Sequence, residues 1–318
     1  MNIAALIMVL LAAFPLAANA KKLYKFQDKQ GVWHFTDKRP DSEKNPEIRQ
    51  IKAASKQMVS LMQAGEKQQP QFYIRNDYPG PIEVEITFSE RDNAQANPEL
   101  PRRFIVEPGI SSTLFEVNAI NQQKGWKLAL KYRYMIGAPQ PNYNTVASYL
   151  PPLAPNAEFQ ISQAFGGSFS HTDEQNHYAV DIVMPVGTPI YAAKSGIVVE
   201  SENDFYKGGD NKAYSSEANN IRILHDDGAM SVYAHLELET AQVYPGMSVA
   251  AGQLIGYSGN TGFTTGPHLH FVVQINRGME LVSVPFNFIN QSGQAEQPTA
   301  HSWLKGLAPA QMMGSTAE

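Results

Sequence analysis

Apolar and polar residues alternate along the segment from 71 to 137, as expected of strands that bury one face and expose the other. The clearest run is residues 82–88, where Ile, Val, Ile and Phe take every second position. Pro-Gly pairs at 79–80 and 108–109 interrupt the runs and are typical of turns. The pattern predicts a small antiparallel β-sandwich over residues 71–137, with its aromatic side chains in the core.

Two short aromatic runs near the N-terminus, residues 23–26 and 32–36, flank a glycine-containing turn. They predict a β-hairpin module over residues 21–45. The segment 24–40 resembles the small envelope module known as domain of unknown function 4124. That resemblance implies no particular chemistry.

Two further stretches have the composition of linkers. Residues 46–70 are polar and rich in Lys, Gln and Glu. Three apolar residues in this stretch have a helix-like spacing: Met58, Leu61 and Met62. Residues 138–155 contain five prolines, which predicts a semi-extended connection. These linkers leave residues 156–292 as a C-terminal domain and residues 293–318 as a tail.

Residues 1–20 have the features of a secretory signal peptide: an apolar run at 3–16 and a small-x-small site at 18–20. No Lys or Arg precedes the apolar run, which departs from the usual pattern. The run is shorter than the ~20 residues that a membrane-spanning helix needs, which favours a cleaved signal over an anchor. We therefore expect a periplasmic or secreted protein with no stable membrane anchor after cleavage.

The composition narrows the chemistry. The 318 residues carry a net charge of −5, which gives no broad basic surface, and we expect no nucleic acid as a partner. The chain has no cysteine, so disulfides and thiolate ligands are excluded. Any metal must be held by His, Asp or Glu.

Six of the eight histidines lie between positions 171 and 270, and such clustering favours a metal site. His268 and His270 flank one leucine in an apolar run, so strand alternation turns both imidazoles to the same face. His177 and Asp181 are four residues apart, about 13 Å on a regular strand, so the stretch between them must turn or bulge to reach one ion. Taken alone, such short motifs also occur as incidental surface residues.

Together with His235 in a Tyr-Ala-His-Leu segment, these motifs make residues 165–288 resemble the M23, or lysostaphin/LytM-type, family of zinc endopeptidases that cut peptidoglycan cross-links. The resemblance implies an antiparallel β-sheet catalytic domain and a Zn²⁺ cofactor. It implies zinc ligands at His177, Asp181 and His270, with His235 and His268 as an unligated catalytic pair. Three protein ligands leave a fourth position for a water molecule that the metal activates.

Two histidines, His177 and His171, are candidates for the first zinc ligand. Ala179 stands where family members often carry Gly, and His171 lies upstream, where some relatives place their first ligand. His177 is preferred to His171 because it keeps the four-residue spacing to Asp181.

Two other segments bear on the site. His225 precedes Asp-Asp-Gly and is expected in a hairpin turn rather than in a metal site. Residues 201–219 predict a long loop, from which Phe205 and Tyr206 either line the substrate groove or are simply solvated.

The leading hypothesis for this mainly β chain is an exported zinc metalloendopeptidase that hydrolyses peptidoglycan peptide cross-links. The alternative is a non-catalytic M23-like module that binds the cell wall or activates an amidase. A structural scaffold is a third class, which no motif requires. The middle domain is expected either to target the catalytic domain or to cover its groove, with an envelope regulator as a further partner.

Overall fold

The computed structural model describes residues 22–27, 33–36, 47–50 and 57–307, so the predicted signal peptide at 1–20 lies outside the described residues. The chain divides into two compact units, residues 1–56 and 57–318. In the described part the regular elements are strands, with one short 3-10 turn at Lys212–Tyr214, and the prediction of a mainly β protein is confirmed. Among the same residues, no helix reaches the length and hydrophobicity needed to cross a membrane.

The first unit is a three-stranded antiparallel sheet in the order β2-β1-β3. Its strands are β1 (Lys22–Gln27), β2 (Trp33–Thr36) and β3 (Glu47–Gln50). Tyr24 on the central strand is fully buried. The expected hairpin thus gains a third strand from the stretch predicted to be a linker.

The segment 57–137 contains eight strands in two sheets. They are β4 (Val59–Glu66), β5 (Gln69–Asn76), β6 (Ile82–Asp92), β7 (Ala94–Asn97), β8 (Arg102–Val106), β9 (Gly109–Ile110), β10 (Phe115–Ala119) and β11 (Lys127–Ile136). One sheet has the order β4-β5-β10-β7, with β9 on β5, and the other has the order β11-β6-β8. Apolar residues from both sheets form one core, in which Phe72 stacks on Phe115 with ring centroids 4.8 Å apart.

This sandwich begins earlier than the alternating pattern indicated. Val59–Glu66 is a strand paired along its length with β5, so the helical interpretation of Met58, Leu61 and Met62 is wrong. Val59 is buried in the core, while the exposed half of β4, residues 63–66, carries no large apolar side chain. Half of the strand therefore lacks the alternation by which strands are recognised.

The C-terminal part is built on one large antiparallel sheet in the order β20-β16-β18-β19-β23-β14-β13-β27, with β24 paired to β23. Its strands, with those of three smaller sheets, are β12 (Ala147–Tyr149), β13 (Glu158–Gln163), β14 (Val180–Val183), β15 (Pro189–Tyr191), β16 (Gly196–Glu202), β17 (Gly208–Gly209), β18 (Asn220–Leu224), β19 (Met230–Ala234), β20 (Ser248–Val249), β21 (Leu254–Tyr257), β22 (Gly262–Phe263), β23 (His268–Asn276), β24 (Leu281–Ser283), β25 (Phe286–Ile289), β26 (Ala295–Glu296) and β27 (Trp303–Lys305). The centre of the sheet is therefore β23 with β14 and β19 beside it.

Both flanks of the predicted catalytic domain join its core. In the proline-rich stretch, β12 pairs in parallel with β25, and Tyr149 and Leu153 are fully buried. In the predicted tail, β27 pairs with β13 and extends the main sheet. Fully buried aromatic rings, among them Tyr149, Phe271 and Phe286, contact one another edge to face beneath the sheet.

A buried carboxylate joins the sandwich to the C-terminal domain. Glu83 on β6 accepts hydrogen bonds from Asn276 Nδ2 at 2.9 Å and from the Met279 N–H at 2.6 Å. Asn276 is the last residue of β23, and His268 is its first. The sandwich is therefore attached at the end of β23 that lies away from the two histidines.

His225 lies in the β18–β19 turn, as predicted. Its backbone N–H donates a hydrogen bond to Ala229 O, and Gly228 adopts the left-handed φ of 80° that the turn requires. The ring is buried, with Nδ1 2.8 Å from Ser195 O and Nε2 3.0 Å from Ser231 Oγ. Burial lowers the pKa of His225 to about 4, since the cation would lose its hydration.

This burial predicts a pH dependence of stability. Between the ordinary pKa near 6.5 and the folded value of about 4, the unfolded chain binds the proton and the folded protein does not, so stability falls as the pH drops. Removing the titrating ring with His225→Asn is expected to reduce the stability loss between pH 7 and pH 4 by about 3 kcal/mol. Urea unfolding of wild type and variant at both pH values measures it.

His301→Asn is the matched control, because His301 is exposed and its left-handed φ of 68° suits asparagine. The control should lose as much stability as wild type on acidification. An unchanged pH dependence in His225→Asn would contradict the prediction.

Candidate active site and metal centre

The register of the central strands brings three of the predicted residues together. Asp181 on β14 is the direct partner of His270 on β23, and Val183 is the partner of His268. Leu269 between the histidines is fully buried, so the imidazoles share the opposite face, as the alternation predicted. His270 Nδ1 lies 2.9 Å from Asp181 Oδ1, and His268 Nε2 lies 3.7 Å from the same oxygen.

The structure brings His171 to this pair. His171 Nε2 lies 3.2 Å from Asp181 Oδ1, and the ring is 5.4 Å from the ring of His270. Donor atoms of His171, Asp181 and His270 all lie within 4.8 Å of one another. The histidine that the sequence offered only as a rival thus completes the group.

His177, the residue preferred from its spacing to Asp181, lies outside this group. Residues 173–179 form a compact turn. In it the Asn176 N–H donates a hydrogen bond to Asp173 O, and the Ala179 N–H donates one to Asn176 O. The turn directs the Asn176 side chain toward His270 and leaves His177 exposed against Tyr178, with ring centroids 4.7 Å apart. His177 lines a separate cavity of about 360 Å³. Its four-residue spacing to Asp181 was not a sufficient guide, because spacing along the chain does not give the direction of a side chain within a turn.

The hydrogen bonds around the histidines fit a bound divalent cation. His171 Nδ1 lies 2.9 Å from Ala164 O, a pure acceptor, so Nδ1 carries the proton and Nε2 the lone pair. His171 Nε2 is buried and has no hydrogen-bond partner among the described residues. A buried nitrogen that faces a carboxylate without a hydrogen bond is a position that a metal ion satisfies.

His270 has the same arrangement through a side chain. Its Nε2 lies 3.1 Å from Asn176 Oδ1, and Asn176 Nδ2 in turn donates to both carboxylate oxygens of Asp173, at 2.9 and 3.1 Å. The amide oxygen of Asn176 is thereby turned toward His270, which places the proton on Nε2 and the lone pair on Nδ1. Two imidazole nitrogens and one carboxylate oxygen, all aimed at one point, are a donor set typical of zinc.

The charges agree with this donor set. Burial opposes ionisation of Asp181, but His171 and His270 outweigh it and hold the pKa of the carboxyl well below its usual range. For His171, burial lowers the pKa, but the Asp181 carboxylate more than offsets it and raises the pKa overall. The carboxylate is therefore the fixed negative charge of the group.

His235 and His268 form a second pair in the same cleft. Their ring centroids are 4.6 Å apart, and each Nδ1 lies close to a backbone carbonyl, Thr261 O at 2.6 Å and Gly266 O at 2.8 Å. Each Nδ1 therefore donates, and each Nε2 carries the lone pair in the neutral ring. Burial, together with His268 and His270, lowers the pKa of His235 to about 3, and burial lowers the pKa of His268 as well.

The backbone of His235 is held in an uncommon conformation. Its φ is 63°, in the left-handed region that few residues other than glycine adopt. It follows directly on β19, whose last residue pairs with His270. Strain of this kind is concentrated at functional sites.

The five side chains His171, Asp181, His235, His268 and His270 lie in or beside a cleft of about 700 Å³. Phe169 and Phe263 stack across one wall, with ring centroids 5.9 Å apart. The loop after β16 lines the cleft through Lys212, Ser215 and Ala218, whereas Phe205 and Tyr206 are not among the lining residues.

Comparison with known proteins agrees with the geometry. Residues 175–281 match the profile of Peptidase family M23. This segment contains Asp181, His235, His268 and His270 and is similar to that family. Residues 9–60 match the Domain of unknown function (DUF4124), in agreement with the resemblance of the segment 24–40.

Curated relatives match less than half of the chain. Glycyl-glycine endopeptidase ALE-1 of Staphylococcus capitis is 36% identical over 128 residues, which cover 40% of this chain and 33% of that protein. Peptidoglycan DD-endopeptidase ShyA of Vibrio cholerae serotype O1 is 41% identical over 137 residues, 43% of this chain and 29% of that protein. The match thus spans a third or less of either relative. The crystallised catalytic domain of lysostaphin from Staphylococcus simulans aligns at 29% identity over 45% of this chain and 89% of that chain, with a TM-score of 0.29.

Sequence reasoning missed Asn176 as a partner of His270. A single asparagine in a polar loop carries no recognisable signal. His171 was visible in the sequence, but it lies upstream of the segment that matches the M23 profile, and its long separation from Asp181 hides the contact.

The geometry predicts different effects for the two candidate histidines. His171→Ala removes a nitrogen that faces Asp181 Oδ1 and is expected to abolish stoichiometric zinc binding. His177→Ala removes an exposed ring from the neighbouring cavity and is expected to leave zinc binding unchanged. Zinc content after equilibrium dialysis, with folding checked by circular dichroism, measures both. Loss of zinc in His177→Ala alone would refute the assignment.

Proposed function

We propose that the chain is an exported zinc metalloendopeptidase that hydrolyses peptide cross-links of peptidoglycan. The observation that supports it most strongly is the convergence of His171, Asp181 and His270 at the cleft that is lined by His235 and His268. The M23 domain and the two endopeptidase relatives support the same reaction class.

His171 Nε2, Asp181 Oδ1 and His270 Nδ1 are the atoms proposed to hold the metal. When bound, zinc lowers the pKa of a water molecule and polarises a carbonyl group. The outer contacts of the two ligand histidines, with Ala164 O and Asn176 Oδ1, keep their lone pairs on the inner side.

His235 and His268 are proposed to handle the proton. Both rings are kept neutral at neutral pH by burial, and both have Nδ1 engaged with a carbonyl oxygen, so each Nε2 is a proton acceptor. One of them takes the proton of the attacking water, and an imidazolium formed in this way gives it to the leaving amine or stabilises the developing oxyanion. No Cys is present to act as a nucleophile, and this route requires none.

The substrate and the location are inferred from the relatives and the N-terminal sequence. The names of the relatives include glycyl-glycine and DD-endopeptidases, so a peptide cross-link is the proposed substrate. Residues 1–20 have the pattern of a signal peptide, which supports a periplasmic or secreted enzyme.

The position of the sandwich bears on its role. Every residue that lines the 700 Å³ cleft lies between Ser162 and His270. The sandwich contacts the far end of β23 through Glu83 instead. This favours a targeting role over a covering role for residues 57–137.

Cleavage of cross-linked muropeptides tests the proposal. Wild-type protein is expected to release shorter peptide fragments, a chelator to stop the release and added zinc to restore it. Separate His235→Ala and His268→Ala variants are expected to lower the rate by about 10²–10⁴-fold, the usual contribution of acid–base catalysis, while retaining zinc.

His301→Ala is the matched control for histidine removal, because that residue is exposed and outside the cleft. Its activity should equal that of wild type. Binding of wild-type protein to sacculi without any chelator-sensitive product would instead support a non-catalytic wall-binding module.

A further inference from the structure

Gln163 is the last residue of β13 and lies directly opposite Asp181 on β14. Its amide nitrogen donates to Asp181 Oδ2 at 3.0 Å and to Ser170 Oγ at 2.6 Å. Its amide oxygen accepts the Phe169 N–H at 3.1 Å. The Gln163 side chain thus contacts one candidate metal ligand, Asp181. It also contacts the two residues that immediately precede a second candidate ligand, His171.

The chain is shaped to admit this side chain. A Cβ on Gly167 would overlap Gln163 Cγ and lie 2.7 Å from Gln163 Oε1, so glycine is needed where the loop passes the amide. The His171 N–H then bonds Gly167 O at 3.0 Å, which closes the loop just before the ligand. The loop that carries His171 is therefore folded against Gln163.

The two oxygens of Asp181 have separate partners as a result. Oδ2 accepts from Gln163, whereas Oδ1 faces His171 Nε2 and His270 Nδ1. A carboxylate held at one oxygen has its other oxygen fixed in direction. The same amide fixes the loop from which His171 reaches that oxygen.

We propose that Gln163 is a positioning residue that aims Asp181 Oδ1 and His171 Nε2 at one point and thereby sets the zinc affinity of the site. The inference rests on the proposed function, because it assumes that these atoms bind zinc. Asn176 and Ala164 orient one ligand each, whereas Gln163 contacts both the carboxylate and the histidine loop.

Two substitutions separate the roles of the amide. Gln163→Glu keeps an oxygen for the Phe169 N–H but loses the donor and places a second carboxylate beside Asp181 Oδ2. Gln163→Met keeps the length of the side chain and loses every hydrogen bond. Gln160→Met is the matched control, since Gln160 lies on the exposed side of the same strand and bonds only His301 O among the contacts described.

The experiment measures zinc affinity of the full chain by competition with a chelating dye, and thermal unfolding of the metal-free protein by circular dichroism. Gln163→Glu and Gln163→Met are both expected to weaken zinc binding by about 10–100-fold, the usual effect of losing an outer partner of a metal ligand. Gln160→Met is expected to bind zinc as wild type does. Gly167→Ala, which displaces the Gln163 side chain without removing it, is expected to weaken zinc binding as well.

The outcomes are distinguishable. Wild-type affinity in Gln163→Glu overturns the inference, because that variant lacks the donor to Asp181. So does a loss of affinity confined to Gln163→Met and matched by a lower unfolding temperature, which would make Gln163 a support for the loop only. Failure of the wild-type chain to bind zinc would instead overturn the proposed function.

Discussion

The pairing of β14 with β23 is the constraint on which the rest of the site depends. It sets Asp181 opposite His270 and places His268 two residues away on the same face. Because side chains alternate along a strand, a slip of one residue would turn both histidines into the core and Leu269 into the cleft. The register is held by burial on the other face, where Leu269, Phe271 and Ile182 are almost wholly inaccessible.

Around this rigid pair, the remaining groups come from loops whose positions must be fixed separately. His171 is carried by a loop held at Ala164 and Gly167, and His235 follows the end of β19 in a left-handed conformation. Each candidate ligand has an outer partner that fixes its orientation: a backbone carbonyl for His171, an amide oxygen for His270 and an amide nitrogen for Asp181. Loops supply reach, and the hydrogen bonds supply the precision that a metal site requires.

The features that could be predicted from the sequence are those that depend only on neighbouring residues along the chain. The alternation at His268 and His270 and the hairpin turn at His225 follow from local rules, and the structure has both. The choice between His171 and His177 depends on how the turn at 173–179 is hydrogen-bonded, which no local rule gives. In the same way, β4 and β12 lie in stretches with linker composition. They are strands because β5 pairs with the backbone of β4 and β25 pairs with the backbone of β12.

Burial sets the charges of the site and divides its histidines into two kinds. Asp181 stays ionised despite its burial. Its carboxylate therefore raises the pKa of the neighbouring His171 by more than burial lowers it. His235 has Asp181 only as a minor influence and two other imidazoles as neighbours, so desolvation and like charge both favour its neutral form. A dication bound between His171, Asp181 and His270 would add a further positive charge beside His235 and His268, and would reinforce their neutral state. The imidazoles around Asp181 keep its carboxylate ionised despite burial, whereas burial keeps His235 and His268 neutral. One small cleft can therefore hold a candidate metal-binding group and, beside it, a pair of imidazoles able to accept a proton.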